Sequence, residues 1–216
     1  MTNTLSGSRH SSPSAEAAHT APPRAPRRAR GQLRVEALLA AAAEVFAAKG
    51  FDAATMTEIA AQSDSSIGSL YQFFRTKEAV ADTLIGEQVK ALWLHFDGLA
   101  ERAPALATRE LGHALAVSFV DFRAGHPSFA TLVERPGPPS PLIAGVRRKV
   151  RERVAAILAR HAPRADRALL HAMAPVVQNA MKSAVQLRAD LEGTDLTAAA
   201  RELDAMLAGY LAARLG

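Results

Sequence analysis

The sequence predicts an all-α protein of about nine helices. After Leu33, apolar residues recur at steps of three and four along nearly the whole chain, which is the period of a helix that buries one face. No segment alternates apolar and polar residues as a half-buried strand does. Serine, threonine or aspartate stands before several of these apolar stripes, where such residues cap helix N-termini.

Composition restricts the class of protein. The chain has 216 residues, of which 49% are hydrophobic, and no cysteine. This length allows a small domain joined to a larger one, and the lack of cysteine excludes disulfides and thiolate chemistry. No apolar run reaches the ~20 residues of a membrane span, and no secretory leader is evident. We therefore expect a cytoplasmic protein without membrane contact, and its net charge of +5 weakly indicates an anionic partner.

Residues 1–30 are predicted to form a disordered basic tail. They are rich in Ser, Pro, Ala and Arg and contain almost no large apolar residues, so burial cannot offset the entropy of ordering them. The tail ends in a basic run, which continues into the first helix: Arg24, Arg27, Arg28, Arg30 and Arg34. Two interpretations remain open, a solubilising tail and an arm that contacts phosphates.

Capping signals divide residues 31–80 into short helices. The first helix is predicted over 32–49 and ends at Gly50, a typical C-terminal stop. Thr55 and Glu58 have the spacing of a capping box that opens a second helix. A third helix is predicted over 66–74, capped by Ser66, and Thr76 caps a fourth.

The remaining stripes predict a larger helical domain over 81–216. Pro175 stands inside one of these helices and is expected to kink it. The proline-rich segment 136–141 is predicted to be a loop. The predicted helices span about 76–101, 104–125, a short segment holding Phe129 and Val133, 141–161, 163–191 and 195–215.

Two short helices joined by a tight turn behind a longer helix are typical of a helix-turn-helix. The second short helix must be apolar inside and polar outside to lie in the major groove of DNA. The pattern turns Leu70 and Phe74 inward, and it leaves Gly68 where backbone can approach backbone. The side chains of Ser66, Ile67, Ser69 and Gln72 are left to face outward.

Residues 33–80 resemble the DNA-binding domain of TetR-family repressors. The matching residues keep fixed spacing over about fifty positions, whereas the C-terminal region resembles the family in helix layout only. The matches are Phe46, Gly50, Phe51, Thr55, Ile59, Ala60, Gly68, Leu70, Tyr71, Phe73, Phe74, Thr76, Lys77 and Glu78.

The resemblance implies roles for the matching residues in binding double-stranded operator DNA. Thr55 and Ser66 would cap helices and donate to phosphates, and Tyr71 and Lys77 would also contact phosphates. Phosphate contacts position such a domain, and base contacts give it sequence specificity. The residues nearest the base edges would be Ile67, Ser69 and Gln72, with Gly68 between them and Arg30 and Arg34 contributing from the basic arm.

The turn before the third helix departs from the family's pattern. Asp64 and Ser65 stand where members usually carry Gly and Val. Aspartate tolerates the left-handed conformation that glycine would adopt, but it brings negative charge near the duplex. Ile67 replaces a residue that is often polar or basic, and it either contacts a thymine methyl or packs against the protein.

Several residues carry a structural and a functional interpretation. Phe73 and Phe74 are interpreted as core aromatics, whereas the polar tip of Tyr71 favours a phosphate contact. By the family's layout, helices of the C-terminal domain would surround an effector cavity, with core or interface packing as the alternative. The candidate pocket residues are Trp93, Phe96, His113, Phe119, Phe122, His171 and Met173.

By the resemblance, the chain is expected to be a bacterial repressor that a small-molecule effector releases from a near-palindromic operator. Wide apolar stripes on the last two helices, about 163–191 and 195–215, predict a homodimer built on a four-helix interface. We expect no cofactor, no metal and no enzymatic activity, because no metal-ligand spacing or catalytic motif stands in the sequence. Two alternatives are an enzyme that contains a helix-turn-helix-like fold and a protein–protein adaptor.

Overall fold

A computed structural model of the chain describes residues 27–135 and 140–216. Within these ranges the chain forms nine α-helices and one short 3₁₀ turn, Ala103–Ala105. The prediction of an all-α fold of about nine helices is therefore confirmed. The helices are α1 (Arg27–Ala53), α2 (Met56–Gln62), α3 (Ile67–Phe73), α4 (Lys77–Arg102), α5 (Thr108–Gly125), α6 (Pro127–Val133), α7 (Pro141–His161), α8 (Arg167–Asp190) and α9 (Gly193–Leu215).

Helix α1 begins at Arg27, earlier than the sequence predicts. Residues 27–30 are helical, so the predicted boundary of the disordered tail at residue 30 is wrong by one turn. The rest of that tail lies outside the described residues. Gly50 has a φ of 75° inside α1, which interrupts the helical backbone at the predicted stop and turns the chain toward Phe51.

In the C-terminal domain, the predicted starts of two helices shift to local capping signals. Pro104 lies in the 3₁₀ turn, and α5 begins after it at Thr108. Helix α8 begins at Arg167 rather than 163, because the Asp166 carboxylate accepts the backbone N–H groups of Ala168 and Leu169. The helix continues through Pro175. Of the predicted loop, residues 136–139 lie outside the described residues.

Helix α5 lies at the centre of the C-terminal domain, where it packs against α4, α8 and α9, while α7 packs along α8. Aromatic rings pack together where α5 meets α6. The fully buried Phe122 ring stacks on His126 with ring centres 4.6 Å apart, meets Phe129 edge-on at 5.0 Å and lies 6.2 Å from Phe119.

The short helix α6 connects the two domains by lying against α1. The Thr131 hydroxyl donates to the Phe46 carbonyl of α1 over 3.0 Å, and the guanidinium of Arg135 lies 3.9 Å from the centre of the Phe51 ring. On the other side of α6, Arg147 of α7 donates to the Val133 carbonyl over 2.7 Å. A displacement of α6 would therefore act directly on α1, the helix that also packs against α2.

Candidate nucleic-acid interface

The first helix of the helix-turn-helix is fixed by its predicted capping box. The Thr55 hydroxyl accepts from the Glu58 backbone N–H over 3.2 Å, and the Glu58 carboxylate accepts from the Thr55 N–H over 3.0 Å. The Thr55 hydroxyl also donates to that carboxylate over 2.9 Å. Its proton is therefore already engaged, and a phosphate would have to compete with Glu58 for it.

Lys49 of α1 donates to Glu58 and so ties α2 to the first helix. This contact and the donors of Thr55 lower the pKa of the Glu58 carboxyl from its usual value of 4.5. A group whose pKa is lowered by folding stabilises the fold above its unfolded pKa, and that contribution is lost as the pH falls through the folded value.

Glu58→Gln is expected to remove this pH-dependent contribution while leaving a neutral oxygen for the cap. The free energy of unfolding, measured by urea denaturation, should be lower for the variant at neutral pH. The difference from the parent should shrink as the pH falls from 4.5 through the lower pKa of the folded state, below which the parent carboxyl is itself protonated. A difference that stays constant from neutral to strongly acidic pH would contradict this account.

The turn between α2 and α3 is a Schellman motif. The Ser65 N–H donates to the Ala60 carbonyl over 2.9 Å and the Asp64 N–H to the Ala61 carbonyl over 3.1 Å. Asp64 has a φ of 49°, which is the left-handed conformation predicted for it. The motif therefore forms without the glycine usual at this position, and the exposed Asp64 carboxylate lies beside the start of α3.

Helix α3 is held by its inward face and leaves its polar face open. Leu70 is fully buried and Phe74 is buried just beyond the helix, as predicted. The Ser66 hydroxyl accepts from the Ser69 N–H over 3.1 Å, which leaves its own proton available to a phosphate. Ile67, Tyr71 and Gln72 are exposed and Ser69 is half-buried.

Gly68 is exposed on α3, and a Cβ atom added there would meet no atom within 4 Å. The protein's own packing therefore does not require glycine at this position. The close backbone approach predicted for Gly68 does not occur within the described residues, so it would have to be made by a partner.

Lys77 makes a different contact from the predicted phosphate contact. Its ammonium donates to the carbonyls of Phe51, Asp52 and Ala54 over 2.6, 3.0 and 2.8 Å, and it lies 4.5 Å from the centre of the Phe51 ring. An ammonium has three N–H donors, and all three are used here. Lys77 therefore ties the start of α4 to the end of α1 and to Ala54, which follows it.

The start of α1 lies next to the end of α3. A groove of about 470 Å³ is lined by Gly31, Gln32 and Val35 on one side and by Phe73 on the other. Phe73 is 40% exposed, so its interpretation as a core aromatic is wrong. Arg30 and Arg34 are both exposed on this part of α1, one helical turn apart.

The seven candidate pocket residues do not line one cavity. Phe96, Phe119, Phe122 and Met173 are packed in the core. His113 is on the surface, where its Nδ1 atom lies 2.7 Å from the Asp204 carboxylate of α9. The cations of Lys149 and Arg153 cover the half-buried Trp93 ring, and His171 lines a groove of about 240 Å³ between α7 and α8.

Two contacts at the domain junction were not predicted from the sequence. Gln88 of α4 donates to the Ser128 hydroxyl of α6 over 2.7 Å, and both side chains are buried. The available signal was a glutamine within the apolar stripe of α4. Arg135, which covers Phe51, lies next to the predicted loop and gave no periodic signal.

Comparison with known proteins identifies this arrangement. Residues 38–84 match the family model described as bacterial regulatory proteins, tetR family, and residues 109–211 match the tetracyclin repressor-like C-terminal domain. The chain belongs to the TetR family. It is therefore a DNA-binding transcriptional regulator of a family that is not enzymatic, and the resemblance seen in residues 33–80 is confirmed.

Solved structures of transcriptional regulators share most of this fold at low sequence identity. A transcriptional regulator from Aquifex aeolicus has a TM-score of 0.62 and 17% identity, covering 83% of this chain and 98% of its own. A TetR-like regulator from a Rhodococcus species has a TM-score of 0.59 and 23% identity, covering 88% and 99%. FadR from Bacillus subtilis, solved with stearoyl-CoA, has a TM-score of 0.59 and 17% identity, covering 80% and 97%. A search of curated protein sequences finds no match.

Membrane-spanning helices and metal-binding clusters are both absent from the part of the chain that the structure describes. None of the helices in residues 27–135 and 140–216 combines the length and apolarity that crossing a bilayer requires. Over the same residues, no cluster of three His, Cys, Asp or Glu side chains could hold a metal ion.

Proposed function

We propose that the protein is a homodimeric repressor that binds a near-palindromic operator through α3 of each subunit and leaves it when a small molecule binds. The observation that carries the DNA-binding role is the division of α3 between a buried Leu70 and an exposed polar face. In the described residues, the Tyr71 hydroxyl and the Gln72 carboxamide have no hydrogen-bond partner within the protein, so both are available to DNA.

In the proposed complex, Ile67, Ser69 and Gln72 meet base edges in the major groove. Ser66 and Tyr71 donate to phosphates, as does Thr55 where a phosphate displaces Glu58. Arg30 and Arg34 add charge contacts from the start of α1, and each would steepen the salt dependence of binding. Lys77 acts mainly by holding α4 against the chain that leads into α2.

Gly68→Ala tests whether the exposed backbone of α3 approaches DNA. Because the new methyl meets open space and alanine favours helix, the variant should be more stable by up to about 1 kcal/mol. Affinity for the DNA upstream of the protein's own gene should nevertheless fall by roughly tenfold, the scale of one lost base-level contact. Fluorescence anisotropy measures the affinity and urea denaturation the stability.

Gly86→Ala is the matched control, because it also adds a methyl to open space on a helix, here α4. It should leave DNA affinity unchanged. Equal affinity of the parent and both variants would refute the close approach of α3, and the absence of salt-dependent DNA binding by the parent would refute the DNA-reading surface itself.

The dimer proposal rests on the poorly buried helix α9. This helix has 23 residues but buries only Leu207 and Leu211 against its own subunit. Met206 is 59% exposed, and Val176 of the adjacent α8 is also exposed. A matching pair of helices from a second copy would cover these apolar side chains and would set two α3 helices ~34–36 Å apart for one turn of DNA.

Met206→Asp is expected to weaken the dimer by at least about tenfold, because an unpaired carboxylate in the interface is costly. Leu94→Asp is the control, since Leu94 is 74% exposed on α4 and should leave the dimer intact. Sedimentation equilibrium distinguishes these results. A parent protein that is monomeric at micromolar concentration, or two variants that behave alike, would contradict the proposed interface.

Release by an effector requires only that the ligand binds more tightly to a conformation in which the two α3 helices have a different spacing. Binding of stearoyl-CoA by a regulator of the same fold supports a small-molecule effector here. A reporter driven by the upstream DNA should be silenced by the protein, and activation of the reporter would exclude a repressor.

A further inference from the structure

A groove between the two domains carries an unexplained polar group. It has a volume of about 770 Å³ and lies between α1, α4 and the junction of α5 with α6, and we call it the α1–α6 groove. Its wall on α1 is formed by Ala40, Ala43 and Ala47, and Leu84 continues this apolar surface on α4.

Gln88 lines the same groove and lacks one hydrogen bond. Its side chain is 5% exposed, and its Oε1 atom is buried without a partner, while Nε2 donates to the Ser128 hydroxyl. A buried polar atom without a partner destabilises the fold. The terminal torsion of glutamine is broad, so a small rotation would turn Oε1 to a ligand seated in the groove.

Two further acceptors line the α1–α6 groove. The His126 Nδ1 atom lies 2.8 Å from the Phe122 carbonyl, and a carbonyl can only accept, so Nδ1 carries the proton. In the neutral ring, Nε2 is then an acceptor. The exposed Glu44 carboxylate lies at the α1 side, where it accepts from Gln62.

We propose that the α1–α6 groove binds a compact apolar molecule that carries N–H or O–H donors, with an amine the best match. The apolar body would lie on the alanines of α1 and Leu84, because this burial removes apolar surface from water. The donors would meet Gln88 Oε1 and His126 Nε2, and a positive charge would be favoured by Glu44. An anion of the same shape would meet these two acceptors and the negative charge of the Glu44 carboxylate.

The groove also has a position suited to regulation, a step that rests on the proposed DNA-binding function. One wall belongs to α1, which supports the DNA-reading helices, and another includes Ser128 of α6. A ligand that binds better when these walls are further apart would shift α1 relative to the C-terminal domain. By linkage, the factor by which the ligand changes DNA affinity would equal the factor by which DNA changes the affinity for the ligand.

Three probes with one apolar body test the site: cyclohexylmethylamine, cyclohexylmethanol and cyclohexanecarboxylate. Each is titrated into the full-length protein without DNA, and the amide NMR signals of Gly125, His126 and Ser128 are followed. The amine should bind most tightly, the alcohol less tightly and the carboxylate most weakly. Equal binding of the three probes, or no shift at these amides, would overturn the proposal.

Variants test the contributions of the Gln88 acceptor and of the apolar wall separately. Gln88→Leu combined with Ser128→Ala removes both partners of the buried pair, which keeps folding nearly neutral. It should weaken binding of the amine and the alcohol by about three- to tenfold, the scale of one hydrogen bond, and leave the carboxylate unchanged. Unchanged affinities for the amine and the alcohol in this variant would exclude Gln88 as the acceptor.

Ala40→Trp fills the groove and should abolish binding of all three probes. Ala37→Trp is its control, because Ala37 is exposed on the same helix but does not line the groove. Loss of binding in both variants would place the probes elsewhere on α1.

The regulatory step is tested by measuring DNA affinity with and without saturating amine. A change in affinity that Ala40→Trp abolishes supports coupling between the groove and DNA. Amide shifts without a change in DNA affinity would support the binding site and refute its coupling to DNA. Failure of the parent to bind DNA at all would refute the proposed function alone, since the probe titrations need no DNA.

Discussion

Leu70→Ala is expected to lower the free energy of unfolding by about 2–5 kcal/mol, the range for truncating a fully buried leucine. Leu70 is the one residue of α3 whose side chain is buried. A helix of seven residues does not form by itself in water, so α3 depends on this anchor for its position. DNA affinity should fall further than global unfolding explains, because α3 would detach before the rest of the domain unfolds.

Ile67→Ala is the control for this prediction. Ile67 precedes Leu70 by three residues on the same helix but is exposed, so truncation should change stability by no more than about 0.5 kcal/mol. Urea denaturation and hydrogen exchange of the α3 amides measure the two effects. Similar destabilisation by both variants would show that α3 is not anchored through Leu70.

Lys77→Met is expected to lower the free energy of unfolding by about 1.5–3 kcal/mol, the scale of hydrogen bonds made by a charged group. Methionine keeps most of the apolar stem but leaves the carbonyls of Phe51, Asp52 and Ala54 without their donor. The same variant should not change the slope of log affinity against log salt, because the ammonium is engaged within the protein.

Arg34→Gln is the matched comparison, because Arg34 is exposed at the start of α1. If the Arg34 of each subunit neutralises one phosphate, the salt slope should fall by about 0.9 per subunit of the dimer, with little change in stability. The opposite result for Lys77→Met, a reduced slope and unchanged stability, would restore Lys77 to the phosphate contacts and refute its structural role.

Most of the local structure of the DNA-reading segment could be predicted from the sequence. The caps of Thr55, Ser66 and Thr76 form as predicted, because the donor and acceptor of a cap are at most three residues apart. The left-handed conformation of Asp64 and the stop at Gly50 are equally local. The inward positions of Leu70 and Phe74 follow from helical periodicity alone.

Contacts between distant segments could not be predicted in this way. The sequence does not indicate that Lys77 donates to carbonyls of residues 51–54, because a lysine side chain is equally suited to a phosphate contact and to a structural contact. Phe73 has the large apolar side chain of a core residue, yet it lies exposed at the end of α3, at a groove with α1. The candidate pocket residues lie on apolar stripes of predicted helices, and such a stripe does not distinguish a packed core from the wall of a cavity.

The amino-acid sequence alone was therefore sufficient to predict the all-α fold of about nine helices, the caps and turn of the helix-turn-helix, and the family. These depend on interactions between residues close in the chain and on the periodicity of burial. The three-dimensional arrangement was needed to show that the Lys77 ammonium is already engaged and that the Gln88 Oε1 atom lacks a partner. Hydrogen-bond satisfaction depends on groups brought together from helices far apart in sequence, and no local pattern records it.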